Sequence, residues 1–192
     1  MLTAAIYEYV GPESNPPQEQ LVLTREDLLW LGRAYVGEHG DYNLVHFPVF
    51  VWCMLNRFFL HPGAKHWKSF TFMLRRFSQP INPRWMRGGD LAEKHAGSRM
   101  CTKGRLDRRE KISAMSWGRL PVALRRLLVD LLRGIIAPSF EGMSAKNRYS
   151  NFAATTKRLK HRYPYGYNIG GNWYFEGRSL RKGVVVVNHW AE

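Results

Sequence analysis

The sequence contains only two cysteines, Cys53 and Cys101, in 192 residues. Two cysteines do not make a disulfide framework or a cysteine-rich metal cluster, so we interpret both as reduced thiols. The seven histidines do not fall at ligand spacings such as His-x-x-x-His within a helix, and no glycine-rich phosphate loop is visible. We therefore expect neither a metal site nor another cofactor.

Long hydrophobic runs are also missing. The longest apolar stretch, 47–60, is interrupted by Pro48, Asn56 and Arg57, whereas a membrane-spanning helix needs about 20 largely apolar residues. Residues 1–10 lack a basic start followed by a long apolar segment, so no secretory signal is readable. We expect no membrane-spanning helix and no signal peptide.

Acidic residues are scarce. Fifteen aspartates and glutamates stand against 29 lysines and arginines, which gives a net charge of +14. A chain with this charge is attracted to polyanions. Nucleic acid, teichoic acid, lipopolysaccharide phosphate and an anionic bilayer surface all qualify, and charge alone does not choose among them.

The length and the apolar content indicate one compact domain with a substantial core. Residues 11–17 are rich in proline and polar residues, so we predict an N-terminal arm at 1–23 and a single domain at 24–192. Apolar periodicity predicts helices at 24–38, 44–60, 66–77, 106–117 and 121–136, and a short basic helix within 145–162.

The remaining segments are read as loops and strands. Residues 86–105 are rich in glycine, lysine and arginine, which favours a surface loop. Residues 173–175 and 184–187 are β-prone and are predicted to pair as a small hairpin around Gly177 and Gly183. The predicted fold class is therefore mainly α (α+β), helical with a small β-hairpin.

One carboxyl group stands out in the first helix. Thr24 is a good N-cap, and Leu28, Leu31 and Tyr35 follow at spacings of three and four. The same stripe extends to Glu38, so this acid is predicted to project from the buried side. Burial beside apolar side chains raises the pKa of a carboxyl group, which is the property that a general acid for sugar chemistry needs.

Glycines flank this acid. Gly37 and Gly40 are predicted to end the helix. A solvated residue in a helix-terminal loop is the alternative interpretation of Glu38.

The loop 78–83 follows the third predicted helix. Ser78, Gln79 and Asn82 offer neutral donors and acceptors, which suit sugar hydroxyl and acetamido groups. Trp85 could present a flat aromatic face to a sugar ring. The alternative is a plain interhelical loop with a core tryptophan. A second segment, 163–172, also combines aromatic, glycine and amide residues.

Three segments resemble, in order, the signature of the SleB-type cell-wall hydrolases. The first is Arg33-Ala34-Tyr35-Val36-Gly37-Glu38-His39-Gly40-Asp41, the second is Leu55-Asn56-Arg57 and the third is Phe77-Ser78-Gln79-Pro80. The resemblance covers roughly residues 25–85, and a weaker similarity to the same family lies at 165–176. That family includes spore cortex-lytic enzymes and phage lysins and has a lysozyme-like fold.

The resemblance implies cleavage of glycan strands between N-acetylmuramic acid and N-acetylglucosamine, with Glu38 as the catalytic acid. A second carboxylate would come from Asp41, or from Glu176 in the weakly similar segment 165–176. If neither faces Glu38, lytic transglycosylation is expected instead, because it needs one carboxyl group. The residues expected to bind substrate are Ser78, Gln79, Tyr167, Asn168 and Glu176.

The expected partners are peptidoglycan glycan strands and an anionic cell-envelope surface, with a monomeric protein and no nucleic acid. A phage-type lysin without a signal peptide would reach the wall from the host cytoplasm through a holin or as part of the virion. A basic nucleic-acid-binding or virion structural protein is the alternative function. A lysozyme-like protein that only binds peptidoglycan is another.

Overall fold

The computed structural model describes residues 5–10, 20–40, 44–136, 149–154, 160, 162, 167–169, 172–176 and 184–188. The helices are α1 (Arg25–His39), α2 (Phe47–Leu60), α3 (Phe70–Phe77), α4 (Asp90–Lys94), α5 (Lys103–Ser113) and α6 (Val122–Leu132). The strands are β1 (Ile6–Val10), β2 (Gln20–Val22), β3 (Tyr149–Ala154), β4 (Tyr167–Ile169), β5 (Asn172–Glu176) and β6 (Val184–Asn188). The predicted class, mainly helical α+β, is confirmed.

The chain divides into two compact units. Unit 1 contains residues 1–23, 45–67 and 130–192, and unit 2 contains 24–44 and 68–129. This division differs from the predicted arm at 1–23 and domain at 24–192, because residues 1–23 belong with later parts of the chain. Within 1–23, the structure describes β1 and β2, and these two strands pair in a sheet of unit 1.

In unit 1 the core forms around α2. Asn56 and nearly all of the apolar side chains of this helix are buried, and the helix contacts β3 and β6. Pro48 lies in its first turn, where a missing backbone N–H costs nothing. Cys53 is fully buried, which raises the pKa of its thiol. Both cysteines are free, as predicted.

Two antiparallel sheets complete unit 1. β1 lies between β2 and β6, and β5 lies between β3 and β4. The predicted strands at 173–175 and 184–187 therefore exist, but their predicted pairing is wrong. β5 forms its hairpin with β4, with Ile169 opposite Asn172, so that only two residues connect the strands. β6 instead pairs along its whole length with β1, from Ile6 opposite Asn188 to Val10 opposite Val184.

Two buried tyrosine hydroxyl groups of unit 1 have hydrogen-bond partners. The Tyr7 hydroxyl donates to the Leu131 carbonyl at 3.2 Å, and burial raises its pKa. The Tyr174 hydroxyl lies 3.4 Å from His46 Nδ1, and burial lowers the pKa of that histidine. These contacts fit the rule that buried polar groups are paired.

Three other predicted segments are corrected. Residues 149–154, inside the predicted basic helix at 145–162, form β3. The predicted loop at 86–105 contains α4 and a 3-10 turn at Arg99–Cys101. The third helix starts at Phe70 rather than at 66, because the Ser69 hydroxyl accepts the Phe72 N–H at 3.0 Å and so caps the helix there.

In unit 2, α1 packs against α3 and α5. The predicted stripe of α1 is confirmed, since Leu28, Leu31 and Tyr35 are buried. Gly32 of the same helix faces Leu120 and Leu128, and a Cβ there would lie 2.8 Å from Leu120 Cδ1. In α6, Leu124, Leu128 and Leu131 are buried, whereas Leu127 and Leu132 are partly exposed. None of the helices that the structure describes has both the length and the apolar character needed to cross a membrane.

Candidate active site

The start of α1 is fixed by a reciprocal capping box. Thr24 Oγ1 accepts the Asp27 N–H at 3.2 Å, and Asp27 Oδ2 accepts the Thr24 N–H at 3.0 Å and its hydroxyl at 2.7 Å. Two donors at the helix start are thereby satisfied. Thr24 was predicted as the N-cap from the sequence, but its reciprocal bond with Asp27 was not.

Asp27 also connects α1 to α3. Its second oxygen, Oδ1, accepts the backbone N–H of Thr71 at 3.1 Å and its hydroxyl at 2.8 Å. Asp27 is only 7 % exposed, and four donors satisfy its charge. This second role could not be predicted from sequence spacing, because Thr71 lies on a different helix.

Glu38 lies at the other end of α1 and is half-buried. Its Oε1 accepts a hydrogen bond from the Ser78 hydroxyl at 3.0 Å. Ser78 follows α3 directly and is 4 % exposed, with its backbone N–H bonded to the Leu74 carbonyl at 2.9 Å. Since α1 and α3 meet at Asp27 and Thr71 near their starts and at Glu38 and Ser78 at their ends, they run side by side in the same direction.

Gly37 allows the last turn of α1 to lie close to the turn that follows α3. Gly37 lies inside α1 and does not end it, which corrects the prediction; the helix ends at Gly40, which has φ 78° and donates its N–H to the Val36 carbonyl. A Cβ at Gly37 would overlap Pro80 Cβ and lie 2.8 Å from Pro80 Cγ. The missing side chain therefore lets the 3-10 turn Gln79–Ile81 pack directly on the last turn of α1.

Of the predicted site residues, the structure brings Glu38 and Ser78 into contact. Gln79 opens the 3-10 turn and is half-buried, and its carbonyl accepts the Asn82 N–H at 3.3 Å. Asp41 lies outside the described residues. Tyr167 and Asn168 lie in β4 and Glu176 in β5, all in unit 1, and their side chains are outside the description.

The contacts of Trp85 within the protein account for its position without a bound sugar. Its ring stacks on His95, with centroids 5.2 Å apart, and lies 5.6 Å from the guanidinium of Arg109. Arg109 is only 5 % exposed and donates to the carbonyls of Trp85 at 2.9 Å and Met100 at 3.0 Å. Arg109 therefore organises this part of unit 2, and sequence reasoning did not identify it.

The second segment of the resemblance lies in a different unit from Glu38. Asn56 and Arg57 lie on α2 in unit 1, whereas Glu38 and Ser78 lie in unit 2. Within the described ranges, no three histidine, cysteine, aspartate or glutamate side chains are grouped so that they could hold a metal ion.

The chemistry available at Glu38 is that of a carboxyl group with one fixed oxygen. A carboxylate accepts at both oxygens, whereas a neutral carboxyl group donates from one and accepts at the other. With Ser78 donating to Oε1, the acidic proton of the neutral form belongs on Oε2. No known protein family, curated protein or solved structure matches this chain.

Proposed function

We propose that this protein cleaves the glycan strands of bacterial peptidoglycan, with Glu38 as general acid and then general base. The observation that carries the proposal is the Ser78 hydroxyl bonded to Oε1 of a half-buried glutamate at the end of a helix. That bond supports the proposal, because a Ser78 hydroxyl that donates to Oε1 favours a neutral form of Glu38 with its proton on Oε2. The ordered sequence resemblance supplies the substrate class.

The reaction needs two proton transfers through one carboxyl group. Glu38 Oε2 protonates the glycosidic oxygen as the bond to the muramyl C1 breaks, so the leaving N-acetylglucosamine departs as a neutral alcohol. The resulting carboxylate then takes the proton from the muramyl 6-hydroxyl, whose oxygen bonds to C1. The product is a 1,6-anhydro sugar, and Glu38 ends protonated as it began.

Water attack at C1 gives the hydrolytic alternative. A paired-carboxylate glycosidase holds its two carboxyl groups about 5–9.5 Å apart, and Asp41 is the candidate partner in sequence. The two outcomes differ in the product, since the anhydro sugar is lighter than the hydrolysis product by one water.

The test is digestion of purified peptidoglycan by the wild type and by Glu38→Gln, followed by mass spectrometry of the released muropeptides. We expect the variant to lose at least about 100-fold in rate, because general acid catalysis contributes on the order of 10²–10⁴. Glu26→Gln is the matched control, since it makes the same change at an exposed position of α1. Cleavage by Glu38→Gln at the control rate would contradict the assignment.

The rival function is a basic nucleic-acid-binding or virion structural protein. It accounts for the net charge of +14. A protein that releases no muropeptide but binds DNA with a steep dependence on salt would support it. Binding of intact peptidoglycan with no sugar released would instead support a purely binding protein.

A further inference from the structure

A basic cleft lies beside α3 in unit 2. It has a volume of about 440 Å³ and is lined by the cations Lys68, Arg75, Arg76 and Arg84 and by Phe72. Clefts of about 300–1,000 Å³ are typical of small-ligand sites. Glu38 does not line it, so the basic cleft is separate from the candidate active site.

The positive charge of the basic cleft is only partly neutralised by the protein. Arg84 forms an exposed ion pair with Asp90 at 2.6 Å. In the part of the chain that the structure describes, Lys68, Arg75 and Arg76 make no ion pair. Among the residues that the structure describes, no carboxylate lines the cleft. The nearby Asp27 already accepts four hydrogen bonds from Thr24 and Thr71.

Arg75 is held in position by an aromatic ring. Its guanidinium carbon lies 4.5 Å from the ring centroid of Trp30, and that of Arg33 lies 4.3 Å from the same centroid. Burial and the charge of Arg75 both lower the pKa of Arg33, and Glu26 opposes this only in part. The fold therefore keeps two like charges close together, and an anion bound at Arg75 would relieve their repulsion.

The remaining lining residues restrict the chemical class of ligand that the cleft can bind. The hydroxyl of Thr71 and the side chain of Asn82 are already bonded within the protein, to Asp27 and to the Arg76 carbonyl. This leaves the cations as the main donors, which suits phosphate oxygens better than neutral sugar hydroxyls. Phe72, 42 % exposed, offers an apolar surface beside them.

We propose that the basic cleft binds the phosphodiester groups of an anionic wall polymer, a chain of polyol phosphates, and so retains the protein on the wall. Proteins that bind single-stranded nucleic acid stack successive bases on several aromatic side chains. Among the described residues Phe72 is the only aromatic that lines the cleft, which favours a polymer without bases. The choice of a wall polymer also rests on the proposed function.

The test is the affinity of the full chain for a short soluble poly(glycerol phosphate), measured by calorimetry over a series of salt concentrations. The variant is Lys68→Gln with Arg76→Gln, because both side chains are exposed and Trp30 does not hold them. The matched control is Arg119→Gln with Arg126→Gln, which removes the same charge from exposed positions of unit 2.

We expect the cleft variant to bind at least about tenfold more weakly, because it removes two of the four cations that would donate to phosphate oxygens. The slope of log affinity against log salt should also fall by about one for each lost phosphate contact. The control should change affinity by less than about twofold. Equal losses in both variants, or no binding by the wild type, would overturn the proposal.

A single-stranded oligonucleotide of equal charge provides the second arm. If it binds more tightly than poly(glycerol phosphate), the assignment to a wall polymer is overturned. The measurement does not depend on catalysis, because Glu38→Gln should bind the polymer as the wild type does. Conversely, the cleft variant should cleave walls stripped of phosphate polymers at the wild-type rate, so failure of one proposal is distinguishable from failure of the other.

Discussion

The contact between Glu38 and Ser78 depends on the side of α1 from which Glu38 projects and on the packing of α1 against α3. The three-and-four spacing of Leu28, Leu31 and Tyr35 fixes the side of α1 on which Glu38 projects. The spacing could be read from the sequence, and so could the half-burial of the acid. The hydrogen bond to Ser78 could not, because it depends on how α1 and α3 pack, and no short-range pattern encodes that packing.

Gly37 is the residue on which this packing depends most directly. We expect Gly37→Ala to lower the free energy of unfolding by about 1–3 kcal/mol, because the new methyl group overlaps Pro80 and overpacks the contact. This reverses the usual gain of about 1 kcal/mol when alanine replaces a helical glycine. The proposed cleavage should also slow, since Ser78 and Glu38 would be pushed apart.

Urea unfolding followed by circular dichroism measures the effect. Gly104→Ala is the matched control, because Gly104 lies in α5 and a Cβ there has no atom within 4 Å. It should be neutral or slightly stabilising. If Gly37→Ala were as stable as the Gly104→Ala control, the close contact would have no energetic role.

Among the secondary-structure elements, the helices with clear ends were predictable and the strand pairings were not. Thr24, the predicted N-cap, marks the start of α1 in the sequence, and leucine periodicity marks α6. α4 is too short for any period to show. β1 and β6 lie at opposite ends of the chain, and the β-propensity of 184–187 says nothing about which distant strand will pair with it.

Asp27 carries the connection between α1 and α3, so a change there tests the arrangement of the two elements. We expect Asp27→Asn to destabilise the protein by about 2–4 kcal/mol. An amide retains one acceptor and places an NH2 group against the donors of Thr24 or Thr71, which then lose their partner.

Thermal and urea unfolding of Asp27→Asn and Glu26→Gln would measure this difference. Both changes remove one negative charge from the first turn of α1, but Glu26 is exposed. Glu26→Gln should cost less than about 1 kcal/mol, which is the scale of a charge at a helix start. Similar losses in the two variants would show that charge, and not the connection to Thr71, accounts for the stability.

Over the whole molecule, the surplus of cations is the property that composition predicts best. Several of the few acids in unit 2 are used locally: Asp90 pairs with Arg84, and Asp107 and Glu110 pair with Arg87. These pairs are exposed, and such pairs contribute only about 0–1 kcal/mol to stability. The net charge of +14 already counts these acids, so all of it is available to attract a polyanion.

That surplus predicts how the rate of the proposed wall cleavage depends on salt. The Debye length falls from about 30 Å at 0.01 M to about 3 Å at 1 M ionic strength, so long-range attraction of the cationic protein to an anionic wall is lost over this range. We expect the initial rate on intact walls to fall at least about tenfold across it. On walls stripped of phosphate polymers, the rate should change much less, because the chemistry at Glu38 involves no long-range charge. The measurement is the release of muropeptides from both wall preparations at matched substrate mass. An equal salt dependence on the two preparations would mean that the phosphate polymers do not attract the protein, and that the salt acts on folding or on the catalytic step itself.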